Sequence, residues 1–492
     1  MSERLATAAV RGSLWLGLIN LISKGSQVVV TVALAAFLTE GDLGLVTFVV
    51  SLVNIGQVVQ SMGVYDLISR AESDPGRTAG IVLTLSVGTA LVLTGVLLVT
   101  ARPIAALLGS PATAGLLQFA ALCLPFSAVG GVQMGLMHRE LNFRRRLFPD
   151  AGSAVLGAVV TVVLAVCGEG PRALVFGLLC TAIAQPLFAF LAGVRVRPRW
   201  DRARAGEALR WVGVVGPAAI VAALLLNVGY PVIGHVLGPE VMGSYSLAYR
   251  IASVPLLTVA VVLGAVAFPV YSRLIRSGRS AELPVAVGRF TWATLVATGG
   301  LYLVAAALGD RVVLLGERWS TASGVLVVLC AHGLATCLLQ GWYEAIRAAG
   351  RPRSYLVLQC LHLLVLLVAL ASLTRFGVLA AAASHVLAVW LLLPVAWFVL
   401  MRLDLAPSAR GLARQVTGLL VAALVSAVPV LVLDGLGCFG PPTSVLGALA
   451  EAVVLLTAYA AATVLTQRKA VQELCALRTR RGRSARLVGG QR

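Results

Sequence analysis

An all-α polytopic membrane protein is the fold class this sequence predicts, and three observations predict it. Of its 492 residues 59% are hydrophobic and 12% charged, with a mean hydropathy of +0.94, too apolar for a domain with a water-facing surface. Apolar stretches of about 20 residues, the length that crosses a ~30 Å hydrocarbon core at ~1.5 Å per residue, recur along the whole chain. The arginines gather between those stretches in every second segment, as in a chain threaded repeatedly through a bilayer.

Fourteen spans follow in order. The first, centred on Lys24, is apolar from Gly12 to Phe37, longer than a signal-peptide core and without a convincing small-residue cleavage site, so it is expected to stay in the membrane. Five more centre on Asn54, Leu91, Cys123, Val159 and Gln185. The basic stretch "VRVRPRWDRARAGEALR" (Val194 to Arg210) separates them from six spans centred on Ala223, Leu256, Leu301, His332, Leu363 and Leu387. Two further spans centre on Leu424 and Leu456. The expected organisation is a six-helix bundle over 1–194, a basic cytoplasmic linker over 195–210, a second six-helix bundle over 211–401 around a shared central cavity, two additional helices over 402–466, and a basic cytoplasmic tail over 467–492.

An even number of spans leaves both termini and alternate segments on one side, and the charges test this. Of the 39 Lys and Arg residues, 32 fall in the segments expected inside, Arg102, Arg172, Arg311, Arg318 and Arg375 outside, and Lys24 and Arg250 within spans. Both termini are therefore expected in the cytoplasm and the protein in the cell (inner) membrane. The same distribution accounts for the formal charge of +19: the arginines are spread over every inner segment instead of one folded face, so nucleic acid is not an expected partner. Membrane lipids are, above all for the tail "RTRRGRSAR" (Arg478 to Arg486).

Other chemistry is absent from the pattern. The eight cysteines form no Cys-x-x-Cys pair, so no zinc or redox site is expected. The two lysines read "SKG" at Lys24 and "RKA" at Lys469, which excludes a Walker-type phosphate loop. No cofactor, metal or catalytic residue is expected, and the chain reads as a non-enzyme.

Internal repetition organises the spans. "LTEGDLGLVTF" (Leu38 to Phe48) matches "LGPEVMGSYSL" (Leu237 to Leu247) at an offset of 199, with Gly44 over Gly243. In the inner loops "RELNFRR" (Arg139 to Arg145) echoes "RAAGRPR" (Arg347 to Arg353) at an offset of 208. Two repeats that begin on the same side of the membrane are related by an axis along its normal, a transporter arrangement. With "FPVYSRL" (Phe268 to Leu274) and "LMHRELNFRRR" (Leu136 to Arg146), these segments resemble the polysaccharide-transport branch of the MOP superfamily, the Wzx-like flippases of undecaprenyl-pyrophosphate-linked oligosaccharides. The resemblance implies inward-to-outward flipping of a lipid-linked glycan by alternating access, without ATP hydrolysis by this chain. A polysaccharide polymerase or glycosyltransferases are further partners that it suggests.

The residue chemistry points the same way. In "GSYSLAYRIASVPLL" (Gly243 to Leu257), Arg250 sits in an apolar helix, where an arginine or lysine costs about 2.5–3.5 kcal/mol unless it meets water or a partner. Its neighbours one turn away are Ser246, Leu247, Ser253 and Val254, so no helical salt bridge relieves it. Guanidinium matches phosphate oxygens through a planar fork of donors, which suits a pyrophosphate held and then released. Arg250 lies about 10 Å below the outer end of its helix, so snorkelling outward is the competing reading. Lys24, near mid-span, is harder to relieve that way. The related lipid II flippases place cations in the first and eighth helices, as Lys24 and Arg250 are here, and a third in the second helix, where this chain has only Asn54, Gln57 and Gln60.

Those three amides share one helix face and suit sugar hydroxyls, though helix-to-helix hydrogen bonding explains them nearly as well. Asn227, Tyr230 and Tyr249 complete the candidate substrate-binding set. Gly216 and Pro217 form a candidate hinge in the seventh span, with a static kink the alternative. His332, His362 and His385 read either as packed hydrogen-bonders or as a proton relay. Three other functions remain in view. A lipid II-type precursor flippase shares the cations. A multidrug exporter of the same superfamily would want acids in the helix core, yet Asp66 and Glu344 lie near cytoplasmic ends, Asp434 near an outer end, and Glu451 in an additional helix. A membrane glycan polymerase would want sizeable outer loops, and these are short.

Overall fold

The computed structural model describes residues 2–62, 64, 67–68, 74–107, 111–139 and 143–468, with no strand among them. Asp66, Arg70, the Glu140–Asn142 part of the inner-loop echo, and Lys469 onward with the rest of the basic tail lie outside the described residues. The chain starts with helix α1 (Ser2–Phe37), whose apolar part is Leu21–Phe37. Thirteen further helices among the described residues are long and apolar enough to cross a membrane. They are α2 (Glu40–Ser61), α3 (Pro75–Ala106), α4 (Thr113–Arg139), α5 (Arg144–Val166), α6 (Arg172–Leu191), α7 (Gly216–Leu237), α8 (Pro239–Arg276), α9 (Ser280–Leu315), α10 (Glu317–Ala348), α11 (Pro352–Phe376), α12 (Val378–Arg402), α13 (Ala409–Gly435) and α14 (Val445–Thr466). Each expected span centre falls in its own helix, because long apolar runs bounded by arginine, glycine or proline leave the backbone no other way to satisfy itself in hydrocarbon.

The chain divides into two compact units, Met1–Arg250 with Leu356–Ala388, and Ile251–Tyr355 with Val389–Arg492. In the first, α2 opens with a capping box: Thr39 Oγ1 accepts from the Asp42 N–H at 3.1 Å, and Asp42 Oδ2 accepts from the Thr39 N–H at 3.4 Å. The reciprocal pair satisfies helix-end donors in a two-residue turn. Val64, Ile68, Ala79, Val82, Leu83 and Val132 form one apolar cluster near the ends of α2, α3 and α4. Leu366, Leu370 and Ala388 form another with Leu225, Val228 and Val232, holding α11 and α12 against α7.

The two copies of the repeated turn meet within this first unit. A Cβ on Gly44 would strike the Pro239 carbonyl, and one on Gly243 would strike the carbonyl of Glu40. Thr47 Oγ1 donates to Ser246 Oγ at 3.2 Å, a pair 199 positions apart, and Ser244 Oγ donates to Glu40 Oε1 at 2.8 Å. The sequence offset thus becomes a near-symmetric backbone contact between the starts of α2 and α8, which only glycine permits at this separation.

In the second unit Leu295, Leu419, Ala422, Tyr459 and Ala462 pack α9, α13 and α14 together. Polar pins tie α9 to its neighbours: Trp292 Nε1 donates to Gln467 Oε1 just beyond α14, and Trp342 Nε1 of α10 to Thr291 Oγ1 at 3.2 Å. Near the turn between α13 and α14, Arg311 is 6% exposed, and its guanidinium reaches Glu451 Oε2 at 2.9 Å, Asp434 Oδ1 at 2.8 Å and the Pro441 carbonyl at 2.9 Å. The sequence counts Arg311 only among the cations of the segments expected outside. Folding instead buries it against acids from α13 and α14, which fastens those two helices to α9.

Candidate functional site

Arg250 lies near the end of the first helical segment of α8, Pro239–Ala252. A turn at Ser253 follows, then Pro255, which has no N–H to donate, and a π-helical turn over Leu256–Ala260. Such interruptions re-aim side chains and frequently mark functional positions. The Arg250 side chain is partly buried, its Nε is shut off from solvent without a hydrogen-bond partner, and no carboxylate among the described residues pairs with it. Tyr230 is near enough to interact with it electrostatically.

Around this cation the first unit assembles aromatic rings. Tyr230 on α7 stands edge-on to Tyr249 and Tyr245 of α8, with centroids 5.8 and 6.1 Å apart. Tyr245 and Tyr249 are 6.0 Å apart, and His385 of α12 lies 6.0 Å from each. Gly229 admits the imidazole: a Cβ there would lie 2.8 Å from His385 Nε2. Tyr245 is 1% and His385 3% exposed, whereas Tyr230 and Tyr249 keep partly exposed surfaces. Of the candidates read from sequence, this brings together Arg250, Tyr230 and Tyr249. Tyr245 was missed, though its spacing four residues before Tyr249 puts both on one helix face. His385 joins from 140 positions away in sequence, a proximity that no local pattern encodes.

The remaining candidates are placed as follows. Lys24 is partly buried in α1, its Nζ donating to Gln27 Oε1 at 3.2 Å. Asn54 is partly buried in α2. Gln57 Nε2 donates to Ser127 Oγ of α4 at 3.1 Å. The Gln60 amide, 4% exposed and oriented to satisfy both groups, donates to the Leu124 carbonyl at 2.9 Å and accepts from the Ala128 N–H at 3.3 Å. Asn227 Nδ2 donates to its own helix at the Ala223 carbonyl, 2.8 Å away. Helix Arg202–Asn227 runs through Gly216 and Pro217, and the interruption in this span falls at Val228. His332 Nε2 lies 3.5 Å from Thr336 Oγ1, and His362 is buried in α11. Glu344 of α10 is bound by Arg347 at 3.1 Å.

No group of three or more His, Cys, Asp or Glu among the described residues has a metal-holding arrangement. What the first unit offers is a lone guanidinium beside partly exposed phenol rings. Such a combination has the chemistry to hold an anion through charge-assisted hydrogen bonds and a flat apolar face through the rings.

Comparison with known proteins places this architecture. Among solved structures the fold is similar to the lipid II flippase MurJ in an inward closed conformation, with a TM-score of 0.74 over 94% of this chain and all (100%) of that one at 11% identity. It is also similar to an inward-facing multidrug resistance MATE transporter of the MOP superfamily, with a TM-score of 0.58 over 78% of this chain and 95% of that one at 14% identity. In sequence it is 25% identical over 473 residues, 94% of each chain, to the succinoglycan biosynthesis transport protein ExoT of Rhizobium meliloti. It is 23% identical over 358 residues to the lipopolysaccharide biosynthesis protein WzxC of Escherichia coli, covering 71% of this chain and 69% of that one. The family model described as "polysaccharide biosynthesis protein" matches residues 33–324, more than half the sequence, and the chain is a multi-pass membrane protein that belongs to that family.

Proposed function

We propose that the chain is a flippase that carries a polyprenyl-pyrophosphate-linked oligosaccharide from the cytoplasmic to the outer leaflet of the cell membrane, by alternating access, for cell-surface polysaccharide biosynthesis. The observation that carries this reading is Arg250, an intramembrane cation that no carboxylate among the described residues neutralises. A visiting pyrophosphate supplies the missing counter-charge, and the guanidinium fork releases it when the surroundings change. Relatives named for succinoglycan transport and lipopolysaccharide biosynthesis support a glycan cargo.

In this mechanism the basic inner segments gather cargo at the cytoplasmic leaflet, both termini lying on that side. Lys24 and Arg250 draw in the pyrophosphate, and Asn54, Tyr230 and Tyr249 meet sugar hydroxyls and rings, while Gln57, Gln60 and Asn227 keep the helix contacts they already make. The prenyl tail stays in lipid. The outward route opens where α2 meets α8: Gly44 against Pro239, Gly243 against Glu40, and the Thr47–Ser246 hydrogen bond part to let cargo leave. Bending beside Gly216 and Pro217 accompanies this change. Polymerase and glycosyltransferase partners act on the glycan before and after the chain does.

Depleting the protein in its native host is expected to accumulate one lipid-linked saccharide on the cytoplasmic side, identifiable by mass spectrometry of the extracted lipid. Accumulation of a peptidoglycan precursor instead would assign the chain to the lipid II-type alternative. Accumulation of neither would remove the flippase reading.

A further inference from the structure

The ring cluster beside Arg250 has more structure than holding an anion requires. Tyr230 and Tyr249 present partly exposed surfaces, while Tyr245 and His385 stand behind them almost fully buried. Five ring pairs lie between 5.8 and 6.1 Å, so the four rings form one contiguous cluster. Tyr245 Oη is buried with no hydrogen-bond partner among the described residues, and so is Arg250 Nε. Two orphaned polar atoms next to one aromatic wall are unusual in a folded interior, where buried polar groups are nearly always paired. Both can donate. A ligand group that carries oxygen acceptors for the guanidinium and a flat C–H face for the partly exposed rings fits this pair, and a pyranose directly bonded to a phosphate is such a group.

We propose that Tyr230 and Tyr249 form the carbohydrate-facing wall of the Arg250 site and stack on the sugar bonded to the pyrophosphate, with Tyr245 and His385 as positioning residues that fix the angle of that wall. The proposal rests on the flippase reading above. It adds that this cluster discriminates cargo by its first sugar ring, while Arg250 binds the charge common to all such lipids.

Two probes separate these roles: undecaprenyl pyrophosphate, and the same lipid carrying a single glucose on its terminal phosphate. Binding of each is measured on the full chain in lipid nanodiscs by native mass spectrometry. Tyr249→Leu is expected to weaken binding of the glucosylated probe about tenfold and leave the sugarless probe within about twofold, with Tyr249→Phe restoring both. Tyr245→Leu and His385→Gln are expected to shift the ratio of the two affinities in the same direction by a smaller factor, Tyr245→Phe restoring the ring's share. Unchanged binding of the sugarless probe shows that each variant is folded. Equal loss of both probes in Tyr249→Leu, or no loss of either, would make the cluster mere packing and overturn the proposal. Wild-type binding of both probes by Arg250→Gln would instead remove the phosphate reading, and the tyrosine result would stay readable.

Discussion

Arg250 and Arg311 are both arginines withdrawn from water in an apolar helical protein, and their surroundings differ in almost every respect. Arg311 is met by two carboxylates and a carbonyl, all within 2.9 Å, which come from α13, α14 and the turn between them. Arg250 lies near Tyr230 and has an Nε without a partner among the described residues. A buried charge satisfied on every side is a fastener, whose removal strands its partners. A buried charge left open is costly to the fold and persists where something else uses it. The contrast is what the proposed cargo role of Arg250 rests on, in a chain where composition alone makes the two cations look alike.

The comparison breaks most readily at Arg250. Arg250→Glu is expected to lower transport about a hundredfold or more, since repulsion of a pyrophosphate by even ~3 kcal/mol is two decades, with membrane insertion and thermal midpoint unchanged. Lipid-linked saccharide counted in the two leaflets checks the first, and a melting curve in detergent the second. Arg311→Met should do the reverse. Leaving Glu451, 1% exposed, without its cation costs about 3–5 kcal/mol, seen as a midpoint lowered by several degrees. Adding Glu451→Leu should recover much of the loss.

Smaller effects sharpen the same contrast. Gly44→Ala forces a methyl against the Pro239 carbonyl. It is expected to cost about 1–3 kcal/mol of the α2–α8 contact, slow transport roughly tenfold, and raise chemical labelling of α2 at that contact. Lys24→Gln should reduce transport several-fold without moving the melting midpoint, because among the described residues Lys24 holds only an amide, at 3.2 Å. Arg279→Gln breaks the exposed pair with Glu282 at 2.6 Å and should change neither readout, as expected of a solvated pair.

Much of this was legible in the sequence for physical reasons. Hydrocarbon tolerates only helices of a set length, so the spans from Asn54 to Leu456 could be ruled off directly. Gly44 and Gly243 showed as a repeat because both copies of the turn meet the same steric limit. Arg250 stood out because an arginine in an oily segment is costly wherever it points. What stayed hidden depends on distant meetings. Asp434 and Glu451 looked like isolated acids until folding brought Arg311 between them. His385 was one of three similar histidines until Gly229 made room for it beside Tyr245. The amides of Gln57 and Gln60 were equally readable as cargo contacts or as links to α4, since hydrogen-bonding capacity is local and the choice of partner is not.

The meeting of Gly44 with the start of α8, and of Gly243 with the start of α2, also bears on how the two halves can change over time. A chain with two copies of one motif is free to let them drift apart wherever each faces its own surroundings. Here each copy is part of the other's surroundings, so a methyl gained by either is felt by both at once. Divergence elsewhere can proceed on one side alone, as it has where one repeat carries Arg250 and the other Ser51. At this crossing a new side chain would require a matching retreat in the opposite copy.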